Sequence, residues 1–164
     1  NGPNLGTDVL YSGTVSAAIE GAIQGLPSIA VSLASYGAED YRTAAEIACI
    51  LAEITYRNKD KIPPDTLLNV NIPAVPRSEI KGFRITKLGN REYTDFFDKR
   101  IDPQGNPYFW LTGDVVPLLE DDPDIDVIAV ENNYVSITPI HFDLTNYRIM
   151  NMMRDLGFEN IIIK

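Results

Sequence analysis

Two helix patterns alternate with two apolar strand patterns between Ser12 and Pro73, and that alternation confines the chain to a small set of folds. The first helix pattern starts at Ser12, Gly13, Thr14 and Ser16, with Val15, Ala18, Ile19, Ala22 and Ile23 recurring at helical spacing. Gly25 supplies a stop, and Pro27 to Leu33 reads as a buried strand. After a turn at Ser35 to Gly37, Asp40 is placed to cap a second helix running to about Arg57, with Ile47, Ile50, Leu51 and Ile54 on one face. Asn58 to Asp65 is a surface connection, and Leu67 to Ile72 forms another strand, ended by Pro73. Strands joined through a helix of this length pair in parallel with right-handed crossovers, so the expected class is α/β. An apolar content of 45% over 164 residues is enough for one domain with a real core.

Residues 1 to 15 place polar, backbone-shaping residues directly ahead of the first helix. A helix start leaves N–H groups without intrahelical partners and carries the positive end of the helix dipole. Ser12, Gly13 and Thr14 are therefore candidate donors to a phosphate or carboxylate. The same residues also suit a plain helix cap followed by turns.

Beyond Gly82 the segments shorten. Phe83 to Thr86 alternates, and Tyr93 to Leu111 holds two aromatic arms around a turn at Asp102 to Pro107. Tyr93, Phe96, Phe97, Tyr108, Phe109 and Trp110 are more apolar surface than one marginal hairpin can bury. Either the arms fold back on the domain or, the preferred reading, they pack on another subunit. A strand from Asp126 to Val130 and an alternating segment from Tyr134 to Ile140 follow. A helix capped by Asp143 or Thr145 then turns Ile149, Met150, Met153 and Leu156 inward, Gly157 ends it, and Phe158 to Ile163 adds a short strand.

Three blocks carry a resemblance. Asn4-Leu5-Gly6-x-Asp8-Val9-Leu10-Tyr11-Ser12-Gly13-Thr14-Val15, Leu68-Asn69-Val70-Asn71-Ile72-Pro73 and Glu131-x-x-Tyr134-Val135-Ser136-Ile137-Thr138-Pro139-Ile140 occur in this order across nearly the whole chain. Together they resemble the survival protein E (SurE) family of metal-dependent nucleoside monophosphate phosphatases. The resemblance implies a three-layer, Rossmann-like, mostly parallel sheet with a protruding β-hairpin and a C-terminal helix. It implies hydrolysis of nucleoside 5′- or 3′-monophosphates with magnesium or manganese as cofactor. Asn4 and Ser12 would then serve catalysis, and Asn4, Ser12, Gly13 and Thr14 would hold phosphate, with Asp8 orienting the loop. It also implies a homodimer or homotetramer built through the 93–111 hairpin and an exchanged C-terminal segment, 126–164.

The family pattern opens Ser-Gly-Ile-Asn-x-Gly-x-Asn-Leu-Gly, and Asn1 falls on its first variable position. The metal-ligating Asn would immediately precede Asn1, and the remaining ligands, an Asp pair and a Ser, would lie further upstream. None of the implied metal ligands is thus expected in residues 1–164, which read as the C-terminal part of a single larger domain. The run Glu120, Asp121, Asp122, Asp124 and Asp126 lacks an EF-hand's Gly and terminal Glu, is broken by Pro123, and reads as a solvated acidic loop.

A net charge of −9 with no basic stripe argues against nucleic acid as a partner. It would also repel a phosphomonoester, so a catalytic site here needs a local cation. A single cysteine, Cys49, excludes an internal disulfide and reads as a buried structural thiol. His141, the lone histidine, is expected to be structural. Apolar runs fall well short of the roughly 20 residues that span a bilayer, and the cytoplasm is the expected location. No P-loop, dinucleotide fingerprint, nucleophile elbow or zinc-protease motif is present. The alternative to an enzyme is a non-catalytic anion-binding and oligomerisation module.

Overall fold

Periodicity places the first two helices and strands to within a residue or two. The computed structural model describes residues 2–94, 96–119 and 121–161. Helix α1 (Gly13–Ile23) buries Val15, Ala18 and Ala22, and Gly25 turns the chain away from its end at φ 73°. Strand β1 (Ser28–Ala34) leads through α2 (Arg42–Arg57) to β2 (Thr66–Pro73), and the two strands pair in parallel from Ser28 opposite Leu67 to Ala34 opposite Pro73. Strand β3 (Gly82–Ile85) lies parallel to β6 (Tyr134–His141), which runs antiparallel to β2. The sheet order is β1-β2-β6-β3, mostly parallel as expected.

Side chains alternate across this sheet, and its two faces differ in chemistry. Val70, Ile72, Val135 and Ile137 pack beneath Ala44, Ile47 and Leu51 of α2. Each such fully buried aliphatic residue favours the fold by about 1.5–3 kcal/mol. On the opposite face Ala30 and Leu67 meet Val9, Val15, Ala18 and Ala22, so helices flank the sheet in three layers. A third cluster joins Leu5 to Ile125 and Val127 at α3 (Asp126–Glu131). Between these apolar groups, the same face carries Ser32, Asn69, Asn71, Ser136 and Thr138, all buried. No described helix is long and apolar enough to cross a membrane.

Several expectations need correction. Residues 126–130 form a helix rather than a strand, because a short buried apolar run has no period to separate the two and the Asp126 carboxylate receives the Val127 N–H at 2.9 Å, where the helix starts. Asp40 sits one residue ahead of α2's N-cap position, Tyr41, but caps the helix as expected, its Oδ1 accepting from the Arg42 N–H at 3.0 Å. That helix buries Ala44, Ile47, Leu51 and Thr55, while Ile50 and Ile54 face outward at 46% and 51% exposure. Cys49 is exposed, not buried, because it lies away from that stripe.

The acidic run is not uniformly solvated. Asp126 is fully buried, Asp122 pairs with Lys87 at 2.7 Å, and Glu120 lies outside the described residues. The C-terminal helix α4 (Met150–Asp155) is under two turns long and leaves Met150, Met152 and Leu156 exposed, so its methionines are not core. Ile149 is likewise exposed, and Met153 is half-buried. Phe158–Asn160 is a 3₁₀ turn rather than a strand, and the rest of that expected strand, residues 162 and 163, lies outside the described residues. The aromatic arms form a separate hairpin, β4 (Phe96–Ile101) against β5 (Pro107–Thr112). Apart from Tyr93, which bonds to Asp8, they do not fold back: Phe97 and Phe109 remain 67% and 61% exposed.

Candidate active site

The loop ahead of α1 crosses the sheet near the carboxyl ends of β1 and β2, where open α/β sheets place their ligands. Asn4 is its anchor. The Asn4 N–H donates to Asn71 Oδ1 at 2.7 Å, and the Asn4 carbonyl accepts from Asn71 Nδ2 at 2.9 Å and from Asn69 Nδ2 at 2.8 Å. The Asn4 side-chain amide donates to Ser32 Oγ. Asn69 and Asn71 are completely buried, and Asn69 Oδ1 has no hydrogen-bond partner among the described residues. Leaving such a buried acceptor unpaired costs about 1–3 kcal/mol, a penalty that an all-apolar stripe would avoid. The stripe continues on β6, where Thr86 bridges the Ser136 and Thr138 hydroxyls at 2.8 and 2.6 Å.

Two residues on, Gly6 opens a 3₁₀ segment, Gly6–Tyr11. Its N–H donates to Asp126 Oδ2 at 2.7 Å, and the other carboxylate oxygen accepts from Gly89 and Val127, both at 2.9 Å. Burial pushes the Asp126 carboxyl above its ordinary pKa, against the opposing pull of these three N–H groups. Gly6 is required twice over: its φ is 54°, and a Cβ would lie 2.5 Å from the Gly89 carbonyl oxygen.

Residues 89–93 clasp the same segment from outside. Arg91 donates its backbone N–H to Thr7 Oγ1 at 3.1 Å, Tyr93 donates its hydroxyl to Asp8, and Arg91 Nε lies 3.4 Å from Asp8 Oδ2. Burial, then the bond to Asp8, raises the Tyr93 pKa, so the phenol stays a donor at neutral pH. Asp8 is thereby held in the clasp.

At the far end of the 3₁₀ segment Ser12 is the N-cap of α1, with Oγ accepting from Val15 N at 3.1 Å. A hydroxyl that accepts in this way keeps its own O–H to donate. Gly13 and Thr14 are exposed, and nothing lies within 4 Å of where a Gly13 Cβ would stand. The start of α1 is open to solvent at Gly13 and Thr14, whereas Ser12 itself is buried beside the cap it makes. No hydrogen bond among the described residues joins Asn4 to Ser12, Gly13 or Thr14, so the loop carries two polar stations, each fixed independently.

His141 lies opposite Thr66, at the other end of β2 from Asn71, and is exposed. Among the described residues no group of three or more His, Cys, Asp or Glu side chains is placed to hold a metal ion. Asp126 faces three amides and Asp8 faces Tyr93 and Arg91, so neither is presented to a cation.

A family model described as Survival protein SurE matches residues 1–95, the span holding the loop, both polar stations and the buried asparagines. This chain belongs to the SurE family. A 5′-nucleotidase SurE from Pelotomaculum thermopropionicum is 54% identical over 155 residues, covering 94% of this chain and 58% of the relative. Another, from Synechococcus elongatus, is 53% identical over 162 residues, covering 96% and 62%. The crystal structure of the SurE protein from Aquifex aeolicus superposes with a TM-score of 0.74 at 45% identity, over 94% of this chain and 61% of that one. The chain thus spans about three fifths of the length of these SurE relatives.

The side chains that hold the loop and were not picked out from the residues alone are Ser32, Asn69, Asn71 and Asp126. Asparagine at alternate positions of an otherwise apolar strand was a usable signal, since Asn is depleted from strands and two at i and i+2 share a face.

Proposed function

We propose that the protein hydrolyses nucleoside 5′- or 3′-monophosphates to nucleoside and phosphate. The observation that carries the reading is the open, Ser-capped start of α1 within a chain whose relatives bear the name 5′-nucleotidase. Gly13 and Thr14 offer backbone N–H groups, Ser12 offers its O–H, and the α1 dipole favours an anion there. Donors fixed before the reaction stabilise charge as it develops on phosphoryl oxygens without reorganising at that moment. Asn4, held over the strand ends, offers its amide to the phosphate or the nucleoside.

A divalent cation, magnesium or manganese, is part of this proposal on family resemblance. The described residues do not fit it by themselves, and the proposal draws its ligands from outside them. Phosphate release from adenosine and guanosine monophosphates, by the full-length protein with and without manganese or magnesium, tests the reading. Turnover that needs the cation is expected. Binding of phosphate without turnover would favour the anion-binding module instead. Calorimetry on residues 1–164 alone is expected to register no tight manganese binding.

Assembly into a homodimer or homotetramer through the 93–111 hairpin and the 126–164 segment belongs to the same proposal. Exposed Phe97, Phe109, Trp110, Met152 and Leu156 support it, since large apolar side chains left exposed in numbers on the hairpin and α4 mark interfaces. Changing Phe109 and Trp110 to Ser should reduce the mass seen by light scattering while leaving circular dichroism unchanged. An unaltered mass would remove the hairpin from the interface.

A further inference from the structure

We infer that Ser32 and Asn71 are positioning residues for Asn4, acting on the reaction only through it. This rests on the role given to Asn4 above. Asn71 meets both backbone polar groups of Asn4 with one side-chain amide, oxygen toward the N–H at 2.7 Å and nitrogen toward the carbonyl at 2.9 Å. Because a backbone N–H can only donate and a carbonyl can only accept, that orientation of the Asn71 amide is the single one that satisfies both. The side chain thus acts as a one-residue strand partner and fixes where the Asn4 backbone stands. Ser32, on the neighbouring strand directly opposite Asn71, then accepts from Asn4 Nδ2 and sets the direction of the side chain.

Both groups are buried beneath the loop, at 7% and 0% exposure. Water cannot readily replace them, and a substrate lying on the outer side of the loop does not reach them. Their effect on turnover must therefore pass through Asn4. A group held within a fraction of an ångström of its productive position contributes to the rate only while its supports keep it there.

A double-mutant cycle on the full-length protein reads this directly. Ser32→Ala removes the acceptor for the Asn4 amide with the loss of one oxygen, and is expected to lower kcat about tenfold with KM changed by less than about twofold. Asn4→Ala is expected to lower kcat by about ten- to a thousandfold. The double variant should be no slower than Asn4→Ala alone, since the support has nothing left to position. A Ser32→Ala protein with parental kcat, or a loss that adds in full to that of Asn4→Ala, overturns the inference while leaving the role of Asn4 intact. Parental kcat in Asn4→Ala overturns the role of Asn4 itself.

Asn71→Asp supplies a second readout. Ionised, the new carboxylate sets an oxygen against the Asn4 carbonyl; protonated, it donates there as the amide does. The ratio of variant to parental kcat should rise as pH falls. Asp8, Asp126 and Arg91, the ionisable groups tied to this loop, are present in both proteins and cancel in that ratio. A ratio that does not change with pH counts against the inference.

Discussion

Asp126→Ala is expected to cost the folded protein about 3 kcal/mol or more, because each buried N–H that loses its acceptor costs about 1–3 kcal/mol and three lose theirs together. The three belong to Gly6, Gly89 and Val127, so one carboxylate ties the site loop, the start of the clasp and the first turn of α3 to a single point. Asp126→Asn should cost less. Its remaining oxygen can still serve Gly89 and Val127, but its NH₂ faces the Gly6 N–H, donor against donor. Urea unfolding measures both, and midpoints equal to the parent in both variants would show that the carboxylate is not what holds these amides.

The pH dependence of Asp126 has a definite sign. Its folded-state pKa is raised, with burial as the main cause, so the folded protein holds this proton more tightly than the unfolded chain does. The contribution of Asp126 to stability is therefore greatest below the ordinary value of 3.8 and declines as pH rises through the raised folded value. Asp126→Asn should lose that part of the slope. An identical slope in parent and variant would assign it to other carboxylates.

How far the sequence could be read follows the range of the interactions involved. Helix α1, β1, α2 and β2 are punctuated by Ser12, Gly25, Pro27 and Pro73 and have clear periods, so local chemistry decides them. Asp126 stood in an acidic run whose composition points to solvent; its burial depends on Gly6, 120 residues away. The pairing of Asn4 with Asn71 likewise spans 67 residues. Family blocks could flag both segments as belonging together, but no spacing rule within one sequence says that a side-chain amide will close on a particular backbone. The outward face of α4 was legible as apolar and not as exposed, because composition does not say what covers a surface, whereas the hairpin carried more aromatic surface than it could bury and so pointed outward.

The start of α1 separates stability from function, and two substitutions there should move them in different combinations. Ser12→Ala removes the cap on Val15 and one donor to the phosphate, so about 1 kcal/mol of stability and about ten- to a thousandfold in turnover should be lost together. Gly13→Ala is the informative partner. Its Cβ enters open space, its φ is not in the left-handed region, and alanine restricts the unfolded chain more than glycine, so the protein should gain up to about 1 kcal/mol. If phosphate lies over this N–H, the same methyl intrudes on it, and turnover should fall by about tenfold or more as a donor is blocked. A more stable but slower Gly13→Ala protein cannot be explained by damage to the fold. Thermal melting and phosphate release measured on the same preparations decide it: a Gly13→Ala protein with parental turnover would place the phosphate elsewhere and leave Ser12 as a cap alone.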